Sequence, residues 1–304
     1  MGSLIFRWRR FAQRNEGRLL YGLQRFVVGR IWANRAVRRA FRVFTSSRLP
    51  NRWVFLVGCY NSGTTLLRDL LGAHPSIATL PREGVRFTEE FPELQKGGWQ
   101  RMLLMNRDDW AMPRDDIQRR KAKIVKDWSP LWKSGAHVYL EKSIEHSVRM
   151  EWLDAAFDAP YFISIVRNGY CVCEGILRKA VPRGEARTTV GDSYPISLAA
   201  KQWVAINEQI DQESRRVRNV LHVSYESLVS NPIGTLKSIF SFIGVDCPEM
   251  SFRHGQVFVA GQKFRVSNQN MRSLARLSPR EVAEATPQMR KVLAQYGYEI
   301  LEEK

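Results

Sequence analysis

A glycine-rich turn at residues 58–65 is the segment of this chain best suited to bind a phosphate group. It follows the apolar run at 53–57 and precedes a segment whose leucines recur at helical spacing. Glycine at both ends of such a turn lets consecutive backbone N–H groups point into one concavity, and the helix N-terminus adds partial positive charge. Ser62, Thr64 and Thr65 add hydroxyl donors. The pattern therefore predicts a phosphate-binding loop between a strand and a helix.

The two glycines have the spacing of a Walker loop, but Thr64 stands where that loop has its lysine. A Mg²⁺-dependent kinase or ATPase needs the lysine on the β- and γ-phosphates, and normally an aspartate after another strand. The third predicted strand ends instead at Arg167. We therefore expect a single 5′-phosphate here rather than a Mg²⁺-bound triphosphate. The alternative interpretation is an ordinary glycine turn before a helix.

The order of the motifs along the chain resembles the sulfotransferases that use 3′-phosphoadenosine 5′-phosphosulfate (PAPS). The motifs are the phosphate loop, Arg167 after the run at 161–166, and residues 225–228 with Asn231 and Pro232 beyond them. The resemblance extends from about residue 53 to residue 298. Residues 73–77 and 293–298 are most similar to the tyrosylprotein sulfotransferase-like branch, which many bacterial enzymes share. It implies PAPS as co-substrate, 3′,5′-ADP as product and no metal.

Sulfuryl transfer requires a base for the acceptor hydroxyl and a cation at the oxygen that gains charge as the donor bond breaks. The resemblance implies Glu83 as the base, with Glu89 and Glu90 as alternatives because the spacing varies by a residue or two. It implies Lys142, directly after the second predicted strand, as the cation. The alternative is that both are surface charges of a loop and a strand end.

The resemblance also implies that Arg167 binds the 3′-phosphate, which distinguishes PAPS from most adenine nucleotides. The family usually has a serine eight residues later, where this chain has Gly175. Lys179, one helical turn further, falls where the tyrosylprotein branch has an arginine, so we expect it to compensate. A purely structural Arg167 is the alternative.

Two further positions complete the predicted nucleotide site. The resemblance implies that Tyr225 and Ser267 lie near the sulfuryl donor. The alternatives are that Tyr225 only packs in the core and that Ser267 belongs to a loop without a binding role. Asn61 departs from the pattern, since most relatives carry Arg or Lys there; either another cation replaces that charge or the chemistry is weakened. The candidate replacements are Lys142, Arg68 and Arg82. The predicted nucleotide-binding residues are Asn61, Ser62, Gly63, Thr64, Thr65, Arg167, Lys179, Tyr225 and Ser267.

Short apolar runs separated by helical patterns predict the elements that position these residues. The predicted strands are 53–57, 138–140, 161–166 and 220–223, and the predicted helices after the first include 145–157, 197–216 and 232–243. The sequence at 87–135 has no clear hydrophobic periodicity, and we expect helices and loops there that cover the sheet. We therefore predict an α/β domain at 50–304, with a P-loop-type parallel sheet of four or five strands flanked by helices.

The first 49 residues differ from the rest of the chain. Residues 1–50 contain twelve arginines, no lysine and one acid, Glu16. Apolar residues recur at helical spacing around Leu19–Val27 and again at Val37, Ala40, Phe41 and Phe44, with the arginines mostly between them. The pattern predicts a basic, amphipathic helical appendage at 1–49. Residues 1–48 could lie on an anionic membrane, cover the domain as a helical pair, or serve as an organelle transit peptide.

The amino-acid composition argues against several other classes of protein. The chain has 304 residues, 44% of them apolar, a formal charge of +17 and no apolar run long enough to predict a membrane-spanning helix. Its four cysteines form neither a zinc framework nor a disulfide scaffold, which favours a reducing compartment. We therefore expect a cytoplasmic protein, able to lie peripherally on the inner face of a membrane.

The sequence thus predicts an enzyme that transfers a sulfuryl group from PAPS to a hydroxyl acceptor. We favour a glycan, a lipid or a lipid-linked sugar as acceptor, and peptidyl tyrosine is the alternative. Two rival interpretations are a P-loop nucleotide kinase or hydrolase and an inactive basic protein that binds nucleotide or nucleic acid. Nucleic acid is not an expected partner, because the arginines lie on predicted amphipathic helices without a recognisable nucleic-acid motif. The oligomeric state stays open.

Overall fold

A five-stranded parallel sheet forms the centre of the molecule. The computed structural model describes residues 31–41, 45–47, 49–133 and 135–301. The strands are β1 Arg52–Val57, β2 Ile77–Thr79, β3 Val138–Glu141, β4 Tyr161–Val166 and β5 Asn219–Ser224. Their spatial order is β2-β3-β1-β4-β5, and all neighbouring pairs are parallel. The predicted α/β architecture, a parallel sheet flanked by helices, is confirmed.

Helices connect the strands and cover both faces of the sheet. The α-helices are α1 Arg35–Phe41, α2 Thr64–Leu71, α3 Ile117–Trp128, α4 Met150–Phe157, α5 Gly169–Lys179, α6 Gly184–Val190, α7 Ile196–Ser214, α8 Tyr225–Ser230, α9 Pro232–Ile243, α10 Asn270–Leu274 and α11 Pro279–Gln295. The 3₁₀ turns are Gly84–Phe87, Lys96–Gly98, Leu103–Asp109, Ser129–Leu131 and Ile144–Val148. A second, antiparallel sheet comprises β6 Met250–Arg253, β7 Gln256–Val259 and β8 Gln262–Arg265.

Strand β1 separates two hydrophobic cores, because successive side chains of a strand point to opposite faces. Trp53 and Phe55 belong to an aromatic core that includes Trp128 of α3. Val54 and Leu56 belong to an aliphatic core on the other face, where α2 and α9 pack. A strand buried on both faces needs an unbroken apolar run, which is why the sequence at 53–57 is continuous rather than alternating.

Local capping explains where the most regular helix begins and ends. The side chain of Asn231 accepts a hydrogen bond from the backbone N–H of Gly234, and Pro232 occupies the first turn. Gly244 ends α9 in the left-handed conformation. These are the usual start and stop signals of a helix, and α9 coincides with the predicted 232–243.

The described part of the N-terminal segment is helical and contains a buried arginine. The guanidinium of Arg38 donates to the carbonyl oxygens of Trp32 and Ala33. Ala40, predicted on the apolar face, is exposed. Arg35, Arg38 and Arg39 all approach the carboxylate of Glu89. This ion-pair cluster attaches α1 to the domain, whereas the predicted helix around 19–27 lies outside the described residues.

Candidate active site

A polar cavity of about 650 Å³ lies where the central strands end. Since parallel strands place their carboxyl ends at one edge of the sheet, the loops after β1, β3 and β4 meet there. Every predicted site residue except Ser62 lines this cavity: Glu83, Lys142, Asn61, Gly63, Thr64, Thr65, Arg167, Lys179, Tyr225 and Ser267. Ser62 is buried inside the turn. The structure therefore brings the predicted residues together, while their roles stay predictions.

The turn after β1 needs glycine at both ends. Gly58 and Gly63 have φ values of +152° and +98°. A Cβ at Gly58 would lie 2.5 Å from the carbonyl oxygen of Ile165, and one at Gly63 would lie 2.7 Å from the Tyr225 ring. The loop is thus pressed against β4 and α8, and α2 begins at Thr64 immediately after it. This is the geometry that presents backbone N–H groups and a helix N-terminus to an anion.

Arg167 enters the same cavity from the end of β4. Its guanidinium donates to Asn270 Oδ1 and to the Asn61 carbonyl oxygen, each at 2.9 Å, and lies 4.4 Å above the centre of the Tyr225 ring. The side chain is buried, and its Nη2 has no hydrogen-bond partner among the described residues. A buried guanidinium nitrogen without a partner is costly unless a ligand satisfies it, and phosphate suits it well.

Asn61, Gly175 and Lys179 form one packed unit at the mouth of the loop. Lys179 Nζ donates to Asn61 Oδ1 at 2.9 Å. A Cβ at Gly175 would lie only 2.8 Å from Asn61 Cγ, so a serine there would collide with Asn61. The two departures from the family pattern are therefore coupled. Partial burial lowers the pKa of Lys179, and the charges of Arg178 and Arg101 lower it further, which indicates concentrated positive charge.

The candidate base and cation contact each other directly. Lys142 Nζ donates to Glu83 Oε1 at 2.7 Å, and Arg86 Nε lies 3.5 Å from the other carboxylate oxygen. The Lys142 side chain is 7% exposed and that of Glu83 is 21% exposed. Glu83 is thus the more accessible of the two, and both groups lie within reach of a ligand in the cavity.

Strand β3 ends in a clamp that fixes the turn carrying Glu83. Glu141 Oε1 accepts from the Gly84 backbone N–H and from Ser143 Oγ, each at 2.6 Å, while Trp128 Nε1 donates to the Gly84 carbonyl oxygen. Burial raises the pKa of Glu141, but His146 and these donors outweigh it and hold that pKa below its usual range. The residues flanking Lys142 therefore hold the backbone beside Glu83, while Lys142 holds its carboxylate.

Comparison with known families identifies the chain. Residues 53–249, more than half of it, match the model of the sulfotransferase family. The chain belongs to the sulfotransferase family. The matched residues span the sheet from β1 to β5 and include the turn, Glu83, Lys142 and Arg167.

The chain also resembles individual proteins at low sequence identity. It is 24% identical over 243 residues to protein-tyrosine sulfotransferase A of Caenorhabditis elegans, covering 71% of this chain and 55% of that protein. The chain thus spans about half the length of this relative. Similar solved structures include the sulfotransferase domain from the curacin biosynthetic pathway (19% identity, TM-score 0.47, covering 84% of this chain and 100% of that chain). Another is mouse sulfotransferase SULT7A1 complexed with PAP (13%, TM-score 0.44, covering 85% and 92%).

The two alternative bases do not line the 650 Å³ cavity. Glu89 pairs with the arginines of α1, and Glu90 pairs with Arg120 and Lys123. Of the three carboxylates considered from the sequence, Glu83 is the one that lines the cavity. The structure therefore favours Glu83 on position, and its role is left to experiment.

The sequence did not reveal several cations of the site. Four arginines in the cavity lining were not predicted: Arg86, Arg101, Arg265 and Arg272. Arg265 ends β8 and Arg272 lies in α10, both far from the loop in sequence. Isolated arginines outside any sequence motif have no spacing that would single them out. Three cations were candidates to replace the charge missing at Asn61. Arg68 pairs with Asp69, and neither Arg68 nor Arg82 lines the cavity. Of the three, Lys142 is the one that lines it.

The contact between Gly175 and Asn61 can be tested by stability. Gly175→Ala is expected to lower the free energy of unfolding by about 1–3 kcal/mol, because the new Cβ would overlap Asn61. Asn61→Gly removes the obstacle, and glycine suits the φ of +64° at that position. We therefore expect Gly175→Ala to cost much less in the Asn61→Gly background, measured by denaturant unfolding. An equal cost in both backgrounds would contradict the contact.

Proposed function

We propose that this sulfotransferase moves a sulfuryl group from PAPS to an acceptor hydroxyl. The observation that carries the proposal is the shared cavity, which the glycine turn and Arg167, with its unpartnered Nη2, line together. This pairing fits a nucleotide with phosphates at both its 5′ and 3′ positions. The residues present therefore fit PAPS, with the turn as the 5′ site and Arg167 as the 3′ site.

The charge of the cavity supports an anionic donor. Its lining contains seven basic side chains: Arg86, Arg101, Lys142, Arg167, Lys179, Arg265 and Arg272. Glu83 is the one carboxylate among the lining residues. Clefts lined by one sign of charge concentrate counter-charged ligands. PAPS, with two phosphate groups and a sulfate, is such a ligand.

In the proposed reaction the acceptor oxygen attacks sulfur in line with the bond to the 5′-phosphate. A new S–O bond forms to the acceptor, and the S–O bond to the phosphate breaks. Glu83 takes the proton of the acceptor hydroxyl, and Lys142 neutralises the charge that develops on the departing phosphate oxygen. The products are the sulfate ester and 3′,5′-ADP. Because Lys142 bonds Glu83 before the donor binds, we expect that contact to loosen as Lys142 turns to the donor.

The acceptor we favour remains a glycan, a lipid or a lipid-linked sugar. The alternative, peptidyl tyrosine, draws support from the name of the relative from Caenorhabditis elegans. We also propose that residues 1–48 contact an anionic membrane surface, which flotation of the full chain on anionic and neutral vesicles would test. In the part of the chain that the structure describes, no helix is both long and apolar enough to cross a bilayer.

A titration distinguishes this function from the kinase alternative. We expect 3′,5′-ADP to bind more tightly than 5′-AMP in isothermal calorimetry, and ATP with Mg²⁺ to bind more weakly than either. No aspartate lies among the lining residues to hold the metal ion of a nucleoside triphosphate. Preferential binding of Mg²⁺-ATP would contradict the proposal and favour a P-loop kinase.

Arg167→Ala is expected to weaken 3′,5′-ADP binding by about 10- to 100-fold, because a hydrogen-bonded contact between a guanidinium and a phosphate is lost. The affinity for 5′-AMP should change much less, since that nucleotide lacks the 3′-phosphate. The measurement is the ratio of the two Kd values. Arg290→Ala, an exposed arginine on α11, is the matched control. An equal loss for both nucleotides would remove Arg167 from the 3′-phosphate site.

A further inference from the structure

A second cavity, of about 740 Å³, adjoins the first. The two share Arg86, Gln95 and Gln100 as lining residues. Residues of the turn that follows Glu83 lie between them, since Glu83 lines the first cavity, Val85 lines the second and Arg86 lines both. A ligand in the second cavity could therefore extend past the shared residues into the first cavity, which Glu83 lines. A volume of this size accommodates a small organic ligand.

The two cavities differ in charge. The first has seven basic side chains and a single carboxylate. The second has four arginines and three glutamates, Glu89, Glu93 and Glu145, and two of its arginines belong to α1 and lie beside Glu89. Its charges therefore nearly balance, and its other polar groups are amides and a hydroxyl. Such a lining is poorly suited to a polyanion and well suited to an uncharged polar molecule.

Glu145 is the observation that points to a ligand. It is 7% exposed, lines the second cavity and accepts a hydrogen bond from Gln95 Nε2 through Oε1 at 3.1 Å. Its Oε2 is buried and has no hydrogen-bond partner among the described residues. A buried carboxylate oxygen without a donor is costly, so a hydroxyl supplied by a ligand would satisfy it. Burial and the nearby charge of Glu83 also raise the pKa of Glu145, which such a donor would offset.

The same glutamine links the two cavities. Gln95 Nε2 also donates to the hydroxyl of Tyr60, which lines the first cavity. Tyr60, Gln95 and Glu145 thus form a continuous hydrogen-bonded row that runs from the first cavity into the second. A hydroxyl-bearing ligand bound along this row would present one hydroxyl towards Glu83 and another to Glu145.

We propose that the second cavity binds the acceptor, that the acceptor is an uncharged carbohydrate, and that Glu145 accepts a hydrogen bond from one of its hydroxyls. This inference rests on the proposed sulfuryl transfer and deepens it. Sugar hydroxyls both donate and accept, which matches a lining that mixes carboxylates with guanidinium and amide donors. Phe91, the aromatic ring in the lining, is only 8% exposed, so the cavity offers the phenyl ring of tyrosine little aromatic surface; the aliphatic lining residues are Ala33, Val85, Pro92 and Leu94.

The test follows transfer of radiolabelled sulfate from PAPS to a panel of neutral mono- and disaccharides, their alkyl glycosides and a tyrosine peptide flanked by acidic residues. Glu145→Gln keeps an oxygen for Gln95 but places an amide NH₂ where a hydroxyl should donate. We expect it to raise the KM for the saccharide by about 10- to 100-fold. Arg183→Ala, an exposed side chain of the same cavity, should raise that KM without affecting folding. Neither should change the Kd of 3′,5′-ADP.

Two controls match these variants. The control for Arg183→Ala is Arg187→Ala, since Arg187 lies one turn further along on α6 and lines neither cavity. The control for Glu145→Gln is Glu208→Gln, since Glu208 is exposed on α7. Both should leave the saccharide KM unchanged. Transfer to the tyrosine peptide alone, no transfer to or binding of any saccharide, or an unchanged KM in both cavity variants would overturn the inference. Absence of 3′,5′-ADP binding by the wild type would instead overturn the proposed function, so the two failures are distinguishable.

Discussion

Glu83→Gln is expected to lower kcat by about 10²–10⁴-fold, the usual contribution of a general base. Glutamine keeps the shape of the side chain and an oxygen that can accept from Lys142, so the turn at 84–87 should remain in place. It cannot take the proton of the acceptor hydroxyl. The Kd of 3′,5′-ADP should change by little, because the carboxylate is not placed to bind the nucleotide. Single-turnover transfer from PAPS, together with calorimetry, measures both quantities.

Glu90→Gln is the matched control for this prediction. Glu90 was an alternative base from the sequence, but it pairs with Arg120 and Lys123 and does not line the cavity. Its replacement should leave the rate of the chemical step unchanged, with the melting temperature recorded to monitor the lost ion pairs. Near-normal turnover by Glu83→Gln would contradict the assignment of Glu83 as the base. A loss of turnover by Glu90→Gln at unchanged stability would contradict it as well.

Lys142→Met is the second substitution that we expect to lower kcat strongly. Methionine has a similar length and no charge, so the leaving phosphate oxygen would lose its cation, and we expect kcat to fall by about 10²–10³-fold. Loss of Lys142 also leaves Glu83 with Arg86 alone as an ion-pair partner. Lys142→Arg should recover part of the rate, because it restores a charge but not the compact ammonium group.

The exposed Lys133 provides the comparison for Lys142. Lys133→Met removes the same charge from the protein as a whole and should leave kcat unchanged. If the two variants lost activity equally, the effect would come from the net charge rather than from a cation at the reacting atoms. A Lys142→Met enzyme with normal kcat and a raised KM for PAPS would indicate a role in binding alone.

The centre of the sheet could be predicted from the sequence because strands β1, β3 and β4 are buried on both faces. The continuous apolar runs at β1 and β4 have that property and few alternative interpretations. The edge strand β2 has three residues, too few to produce a periodicity. The antiparallel strands β6–β8 have four residues each, and β6 and β8 mix polar with apolar residues and are partly exposed, so they gave no comparable signal.

The candidate site was predictable where a residue directly follows a strand. Lys142 and Arg167 occupy such positions, and parallel strands bring their ends together whatever the loops between them do. Arg101 and Arg265 reach the same cavity through irregular or antiparallel segments, which local patterns do not describe. Arg38 is buried and donates to backbone carbonyl oxygens, a placement that the spacing of the arginines in the sequence does not indicate.

The second cavity could not be predicted because no motif defines it. Its lining combines α1, the segment after Glu83 and residues near α6, which are far apart in sequence. Glu145 is unremarkable as a sequence feature, and its unpartnered oxygen is visible only when the surrounding packing is known. The unpartnered Oε2 of Glu145 in the folded protein is what indicates this candidate site.

A structure of the complex with 3′,5′-ADP would show whether the turn and Arg167 bind the same nucleotide. We expect the 5′-phosphate against the backbone N–H groups of residues 62–65 and the 3′-phosphate within hydrogen-bonding distance of Arg167 Nη2, with Lys142 and Glu83 beside the 5′ end. A nucleotide bound outside the 650 Å³ cavity, or bound in it with neither phosphate near Arg167, would contradict the account.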